Sequence, residues 1–169
     1  MPARTGSVDL GRGLLEAFLT NERINQLLLE LLDGAIWNVF PPSSPRRNIA
    51  TSFAHIHNVR CMRLKMSARG AAQPKRLERS RVTAPQARVA LAQSALAMVG
   101  LIERSVAAGG LVAGFKPDVV ALVCAAITHE AHHRGQICHW ARELGSPLGP
   151  EQQLRLWEWD KVWKGAVGR

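Results

Sequence analysis

The stretch from Pro117 to Gly145, PDVVALVCAAITHEAHHRGQICHWARELG, decides how this chain folds and where its chemistry lies. Pro117-Asp118 is a helix start, and Gly145 is a stop after about Leu144. With His129 set to zero and about 100° per residue, Leu122, Ala126, His133, Gln136, Trp140 and Leu144 fall within about 60° of it. Most of that stripe is apolar, which predicts that His129 and His133 face the interior of a bundle. Histidines four apart on a helix point the same way, so their imidazoles can converge on one ion. His132, about 100° from His133, is expected at the rim, and His139 lies about 80° off His129 on the other side.

A third ligand must come from elsewhere, and His55 is the candidate. On a helix it shares a stripe with Ser52, Val59, Met62 and Met66, a mainly apolar face expected to point inward. His57 lies on nearly the opposite face. Buried neutral imidazoles each need a partner. Gln136 is the one amide on the two stripes, so a shared cation satisfies the rings best. Three histidines leave a fourth position open, the layout of a catalytic metal site and not of a closed structural one.

His129-Glu130-x-x-His133 also spells the zincin motif HExxH, with Glu130 as the would-be base. His139 even occupies the place of the third ligand in the extended pattern. That pattern needs a glycine where Gln136 stands, and Gly135 comes one place early. On a straight helix His139 is about 15 Å along the axis from His129 and out of reach. Zincins also align a peptide on a strand, and no strand is expected here.

The rest of the chain reads as helix. Leu10, Leu14, Phe18, Ile24, Leu27, Leu28, Leu31 and Leu32 keep helical spacing over Val8 to Trp37. Pro41, Pro42 and Pro45 interrupt, and a second helix is expected from about Pro45 to Met66 with Ser43 or Ser44 as its cap. Gly70 to Val82 is the longest irregular piece, a basic loop. Thr83-Ala84-Pro85-Gln86 is a capping box that opens a third helix through about Ala107, ended by Gly109-Gly110. A short C-terminal helix is expected from Pro150-Glu151, carrying Leu154, Trp157 and Trp159. No segment alternates with period two and there is no internal repeat. The expected fold is all-α: one domain over residues 1–169, a four-helix bundle with a short C-terminal helix or tail.

At 169 residues and 47% hydrophobic, the chain is long and apolar enough to bury a core. It contains no uninterrupted apolar run of about 18 residues, and Met1 to Arg12 lacks a signal-peptide core, so neither a membrane span nor export is expected and the location read is cytoplasmic. Cys61, Cys124 and Cys138 have no CxxC spacing and are read as reduced core thiols. The formal charge of +9 concentrates at Arg46-Arg47, from Arg60 to Arg88 (including Arg69) and over Lys161 to Arg169. The central span has no interleaved aromatics for stacking bases, so nucleic acid ranks behind a solvated loop and an anionic small molecule.

The segments Phe53-Ala54-His55-Ile56-His57-Asn58-Val59-Arg60 and His129-Glu130-Ala131-His132-His133-Arg134-Gly135-Gln136 resemble the motifs of the DinB-like (YfiT-like) superfamily, the second being close to its HxxHHRGQ signature. The likeness extends over about residues 8–160, with Trp157-Glu158-Trp159 similar to the usual tail. It implies a metal triad at His55, His129 and His133, a divalent ion (commonly zinc or nickel) and often a homodimer. It also implies, for some members, transferase or isomerase activity with a low-molecular-weight thiol such as bacillithiol, mycothiol or glutathione. The chain departs from the family where Cys61-Met62-Arg63-Leu64 supplies no aromatic after the first motif. The function expected is a metal-dependent enzyme acting on a small-molecule substrate, of thiol-dependent S-transferase, isomerase or hydrolase type. The alternative is a non-catalytic metal-binding stress protein that dimerises through helix one and the Trp-rich tail. Arg60, His132, Arg134 and Gln136 are candidates for supporting the triad or lining its rim, and Arg60 or Arg63 with the Lys75-Arg76 loop for holding a carboxylated ligand.

Overall fold

Each long helix is started by a side chain that satisfies its first free N–H groups. Asp9 accepts from the backbone of Arg12, Asn48 from Thr51, Thr83 from Gln86 and Asp118 from Ala121. The elements that follow are α1 (Leu10–Leu31), α2 (Ile49–Ser67), α3 (Ala84–Ala107) and α4 (Val119–Glu143), then two short helices, α5 (Pro150–Arg155) and α6 (Trp159–Trp163). The structure, a computed structural model, describes residues 9–68, 70 and 72–163. Val8, Arg69 and the last basic residues of the tail lie outside the described residues. No strand forms among the described residues, and the all-α reading holds.

Four expectations need correction. The first helix ends at Leu31, and Asp33 caps a separate 3-10 turn over Gly34–Ile36. The second helix starts at Ile49, not near Pro45, because Asn48 and Thr51 form a reciprocal capping box. Ser43 instead caps nothing and donates from its backbone and hydroxyl to Glu143, at 2.7 and 2.5 Å. The C-terminal piece is two short helices with a break at Leu156–Glu158. Gly145 does end α4: it has φ of +78°, and the N–H groups of Gly145 and Ser146 close onto the carbonyls of Arg142 and Ala141.

The core falls into two apolar layers. One contains Leu28 of α1, Phe53 and Ile56 of α2, Leu91 of α3 and Ile137 and Trp140 of α4. The other contains Phe18, Leu64, Met98, Ile102, Leu122 and Val123. Following each helix from one layer to the other gives its direction: α1 and α4 run one way, α2 and α3 the other. Parallel neighbours α2 and α3 need a connection that returns along the bundle, which explains the long basic loop. A helix of α2's length rises about 28 Å. The loop is strapped to α2 as it returns: Asn58 both donates to Leu77 O and accepts from Leu77 N at 2.9 Å, and His57 binds Lys75 O at 2.9 Å. It ends where the Trp37 indole donates to Val82 O.

Helix α3 has the length and mean hydropathy (1.3 over its most apolar 18 residues) that a membrane span would need. It packs against α1, α2 and α4, the position of a bundle core helix. Of the three free thiols only Cys61 is buried; Cys124 is exposed and Cys138 half-buried, so the reading of all three as core residues fails.

Candidate metal centre

Between the two apolar layers lies a polar belt, and the histidines sit at its edge. Its inner part joins all four long helices around Arg60, which is 2% exposed. The guanidinium donates twice to Glu130, from Nε to Oε1 and from Nη2 to Oε2, both at 2.7 Å. Its Nη1 donates to Glu22 Oε2 at 2.6 Å and to the Leu91 carbonyl of α3 at 3.1 Å. Asn21 and Asn25 of α1 both donate to Glu130 Oε2, and their own carbonyl oxygens accept from Arg134. Two arginines and two glutamates thus balance in charge. Burial alone would raise the Glu130 pKa, but the Arg60 charge and the four donated bonds hold it below the ordinary carboxylate range. Burial likewise opposes the Arg60 charge, and Glu130 and Glu22 more than restore it.

This belt corrects the sequence reading in two places. Arg60 is a core residue bound to Glu22 and Glu130, not a rim residue available to a ligand. Arg134 is neither at the rim nor on the histidines; its Nη1 sits 2.8 and 2.6 Å from the Asn21 and Asn25 oxygens. The would-be zincin base Glu130 is buried and saturated by donors. A signal for the belt exists in α1: Asn21 and Asn25 fall on the seam of Leu14, Phe18 and Leu28, two amides in line with apolar core residues.

At the edge of the belt α2 and α4 bring His55, His129 and His133 together, with candidate ligand atoms all within 4.8 Å of one another. His55 Nε2 lies 3.2 Å from His129 Nε2, and His133 Nε2 lies 3.1 Å from the same atom. Ring centroids are 4.6–5.1 Å apart with strongly tilted planes. Nitrogens at about 2.0–2.1 Å from a tetrahedral ion are separated by about 3.3 Å, and an octahedral face would give about 2.9 Å, so the two short contacts at His129 Nε2 lie between these values.

The hydrogen-bond arithmetic favours a cation. His133 Nδ1 lies 2.9 Å from Gln136 Oε1, an acceptor, so the proton sits on Nδ1 and the Nε2 lone pair is free. His129 Nε2 must then carry a proton to bond His133, and a nitrogen that carries one cannot also accept from His55. Neutral rings satisfy one of the two short contacts; an ion between the three lone pairs satisfies both. Burial is the first cause holding all three rings below the ordinary imidazole value, to about 4 for His55, with the other rings, Arg79 and Arg47 adding to it. For His129 and His133 the direction is the same. The three rings are therefore neutral at neutral pH, and each has one nitrogen lone pair to offer a metal.

The three rings are less deep than the stripes suggested. His133 is buried, but His55 and His129 are half-buried, and Met62 and Met66 on the His55 stripe are 45% and 44% exposed. The buried line of α4 passes through Glu130, His133 and Ile137, displaced from His129 by about one residue. The site is thus a seam between α2 and α4 with one side toward solvent. His132 is exposed at the rim with its ring 5.2 Å from that of His133, and His139 is exposed away from the group. Arg63 lies at the same seam, over the Phe115 ring and close enough for its charge to act on His129. Lys75 and Arg76 are on the far side, lining a depression against α3.

A four-helix bundle with three converging imidazoles defines a class of helical protein with a metal-type site. Residues 114–161, covering α4, α5 and the start of α6, match the model of the DinB family, which is consistent with the DinB-like resemblance of the sequence motifs. No curated protein and no solved structure matches the chain. The family match and the three-histidine group together fit a DinB-like metal-binding protein.

Proposed function

We propose that this chain is a cytoplasmic DinB-like metalloenzyme in which His55, His129 and His133 hold one divalent ion, zinc or nickel, and leave a side open to a small-molecule substrate. The observation that carries this reading is the frustrated contact at His129 Nε2, which faces two other ring nitrogens and can bond only one of them without a cation. A divalent ion at that point supplies Lewis-acid chemistry, lowering the pKa of a water or thiol taken up on its open side. The chain's own residues do the rest. Gln136 fixes the His133 tautomer, and the buried Arg60–Glu130 pair locks α2 to α4, setting the spacing of their imidazoles. The half-exposure of His55 and His129 supports substrate access at the seam.

A thiol-dependent transferase or isomerase, or a hydrolase, is the reaction class this arrangement serves. The test is turnover of electrophiles and of simple esters by zinc-loaded and nickel-loaded protein, with and without a low-molecular-weight thiol. Product formation that requires both ion and thiol assigns the transferase class, and formation that requires the ion alone assigns the hydrolase. If added thiol changes nothing and metal removal alters only thermal stability, the chain is a non-catalytic metal-binding protein.

A further inference from the structure

We propose that the arginine-lined cleft beside the three-histidine seam binds a small organic acid carrying at least two negative charges. The cleft, of about 540 Å³, is formed where the α1–α2 connection and the start of α2 meet the end of the returning loop. That volume is in the range of small-molecule sites. Phe40, Arg46, Arg47, Thr51, Arg79 and Arg81 line it, and no aspartate or glutamate does. Among the described residues Arg46, Arg47 and Arg79 make no ion pair, and Arg81 has one loose pair with Glu78 at 3.8 Å. Two exposed arginines elsewhere are paired more closely, Arg12 with Glu16 at 2.8 Å and Arg88 with Glu30 at 2.7 Å. Arg104, Arg142 and Arg155 stand apart from one another on the surface; what distinguishes this cleft is four guanidinium groups on one concavity. Four guanidinium groups around one concavity repel one another, and a ligand with several negative oxygens removes that repulsion while accepting charge-assisted bonds.

Phe40, half exposed to solvent, lines the same cleft, which suits a planar or apolar ligand body. Thr51 places the cleft relative to the seam: it lies one helical turn before His55 on the same face of α2, about 6 Å along the axis. A ligand anchored by its acidic end can therefore extend toward the histidines. The proposal rests on the metalloenzyme reading only in making that ligand the substrate or co-substrate. It moves the anion site away from Arg60 and Lys75-Arg76, where the sequence had suggested it.

The experiment is isothermal titration of the full chain with isophthalate, phenyl phosphate and benzoate. Isophthalate has two carboxylates on a ring, benzoate has one, and phenyl phosphate has two negative charges on a single phosphate group. One saturable site per chain is expected for isophthalate, phenyl phosphate or both, and the tighter of them says whether the ligand is a polycarboxylate or a phosphate. Benzoate should bind about tenfold or more weakly, and the Arg47→Ala/Arg79→Ala double variant should lose a similar factor. Those two side chains are exposed and unpaired, so unchanged circular dichroism is expected. Arg142→Ala, outside the cleft, should bind normally. So should His55→Ala, which separates this proposal from the metal assignment: a failed triad leaves acid binding intact. The proposal is overturned if neither dianion saturates, if Arg142→Ala weakens binding equally, or if binding disappears in His55→Ala. Tight, steeply salt-dependent binding of a single-stranded oligonucleotide with which the small acids do not compete would also overturn it.

Discussion

Replacing Glu130 by glutamine separates the two roles that the motif His129-Glu130-x-x-His133 suggests. Every polar atom around this carboxylate is a donor: Arg60 Nε faces Oε1, while Arg60 Nη2 and the amides of Asn21 and Asn25 face Oε2. Glutamine must turn its NH₂ toward one of these sets, so neither orientation satisfies the site. It also leaves Arg60 and Arg134 with Glu22 as the sole anion of the belt. Removing one partner of a buried pair costs about 3–5 kcal/mol. For a chain of this length each kcal/mol lowers Tm by about 2–4 °C, so a fall of about 6–20 °C is expected. Thermal melts followed by circular dichroism on metal-depleted protein measure it. Metal stoichiometry below the melting temperature should be unchanged, since Glu130 ligates nothing, but affinity should weaken because the Arg60–Glu130 pair sets the spacing of the imidazoles. The double variant Arg60→Met/Glu130→Gln leaves Glu22 and Arg134 balanced and should be less destabilised than the sum of the single changes, by about 2 kcal/mol. A Tm within about 3 °C of the parent, with turnover abolished, would refute the structural role and return Glu130 to the position of a base.

Three further outcomes follow from the same geometry. Because His55, His129 and His133 are held below 6.5, the unfolded chain takes up protons that the folded one refuses; stability of metal-free protein is therefore full above 6.5 and declines as pH falls toward about 4, where His55 itself protonates. Urea unfolding across that window measures the slope, and a flat profile would contradict the buried neutral rings. Gln136→Ala releases the His133 tautomer and should weaken metal affinity about 10–100-fold in a chelator competition, with Gln136→Glu largely restoring it. Asn58→Ala removes both bonds to Leu77, costs about 1–3 kcal/mol and should speed proteolytic cleavage between residues 72 and 82; unchanged cleavage would mean the strap lies elsewhere.

Much of the fold was legible because its helices are bounded by side chains with a definite job. Thr83, Asp118 and Gly145 act at the places where their chemistry predicts a start or a stop. The start of α2 was misplaced because proline and serine are common near helix ends, while Asn48 with Thr51 forms an unusual capping pair. The three histidines were legible from angular position alone, since a 3.6-residue period puts them on facing stripes. Their depth was not. A stripe about 100° wide contains both core and margin, and the contacts of neighbouring helices decide which line is central. Arg60 was misread for a related reason: a lone arginine in a helix gives no sign of partners that come from α1 and α4, 38 and 70 residues away. The anion cleft escaped because Arg46-Arg47 and Arg79-Arg81 are separated by the whole of α2 and meet only where the loop returns.

Elemental analysis of untagged protein, with His55→Ala alongside, tests the central claim most directly. The account predicts one divalent ion per chain in the parent and none in the variant, with helical content unchanged because His55 is half-buried at the seam and outside the charged belt. An ion retained in full by His55→Ala, or a parent chain that takes up neither zinc nor nickel on titration, would contradict it.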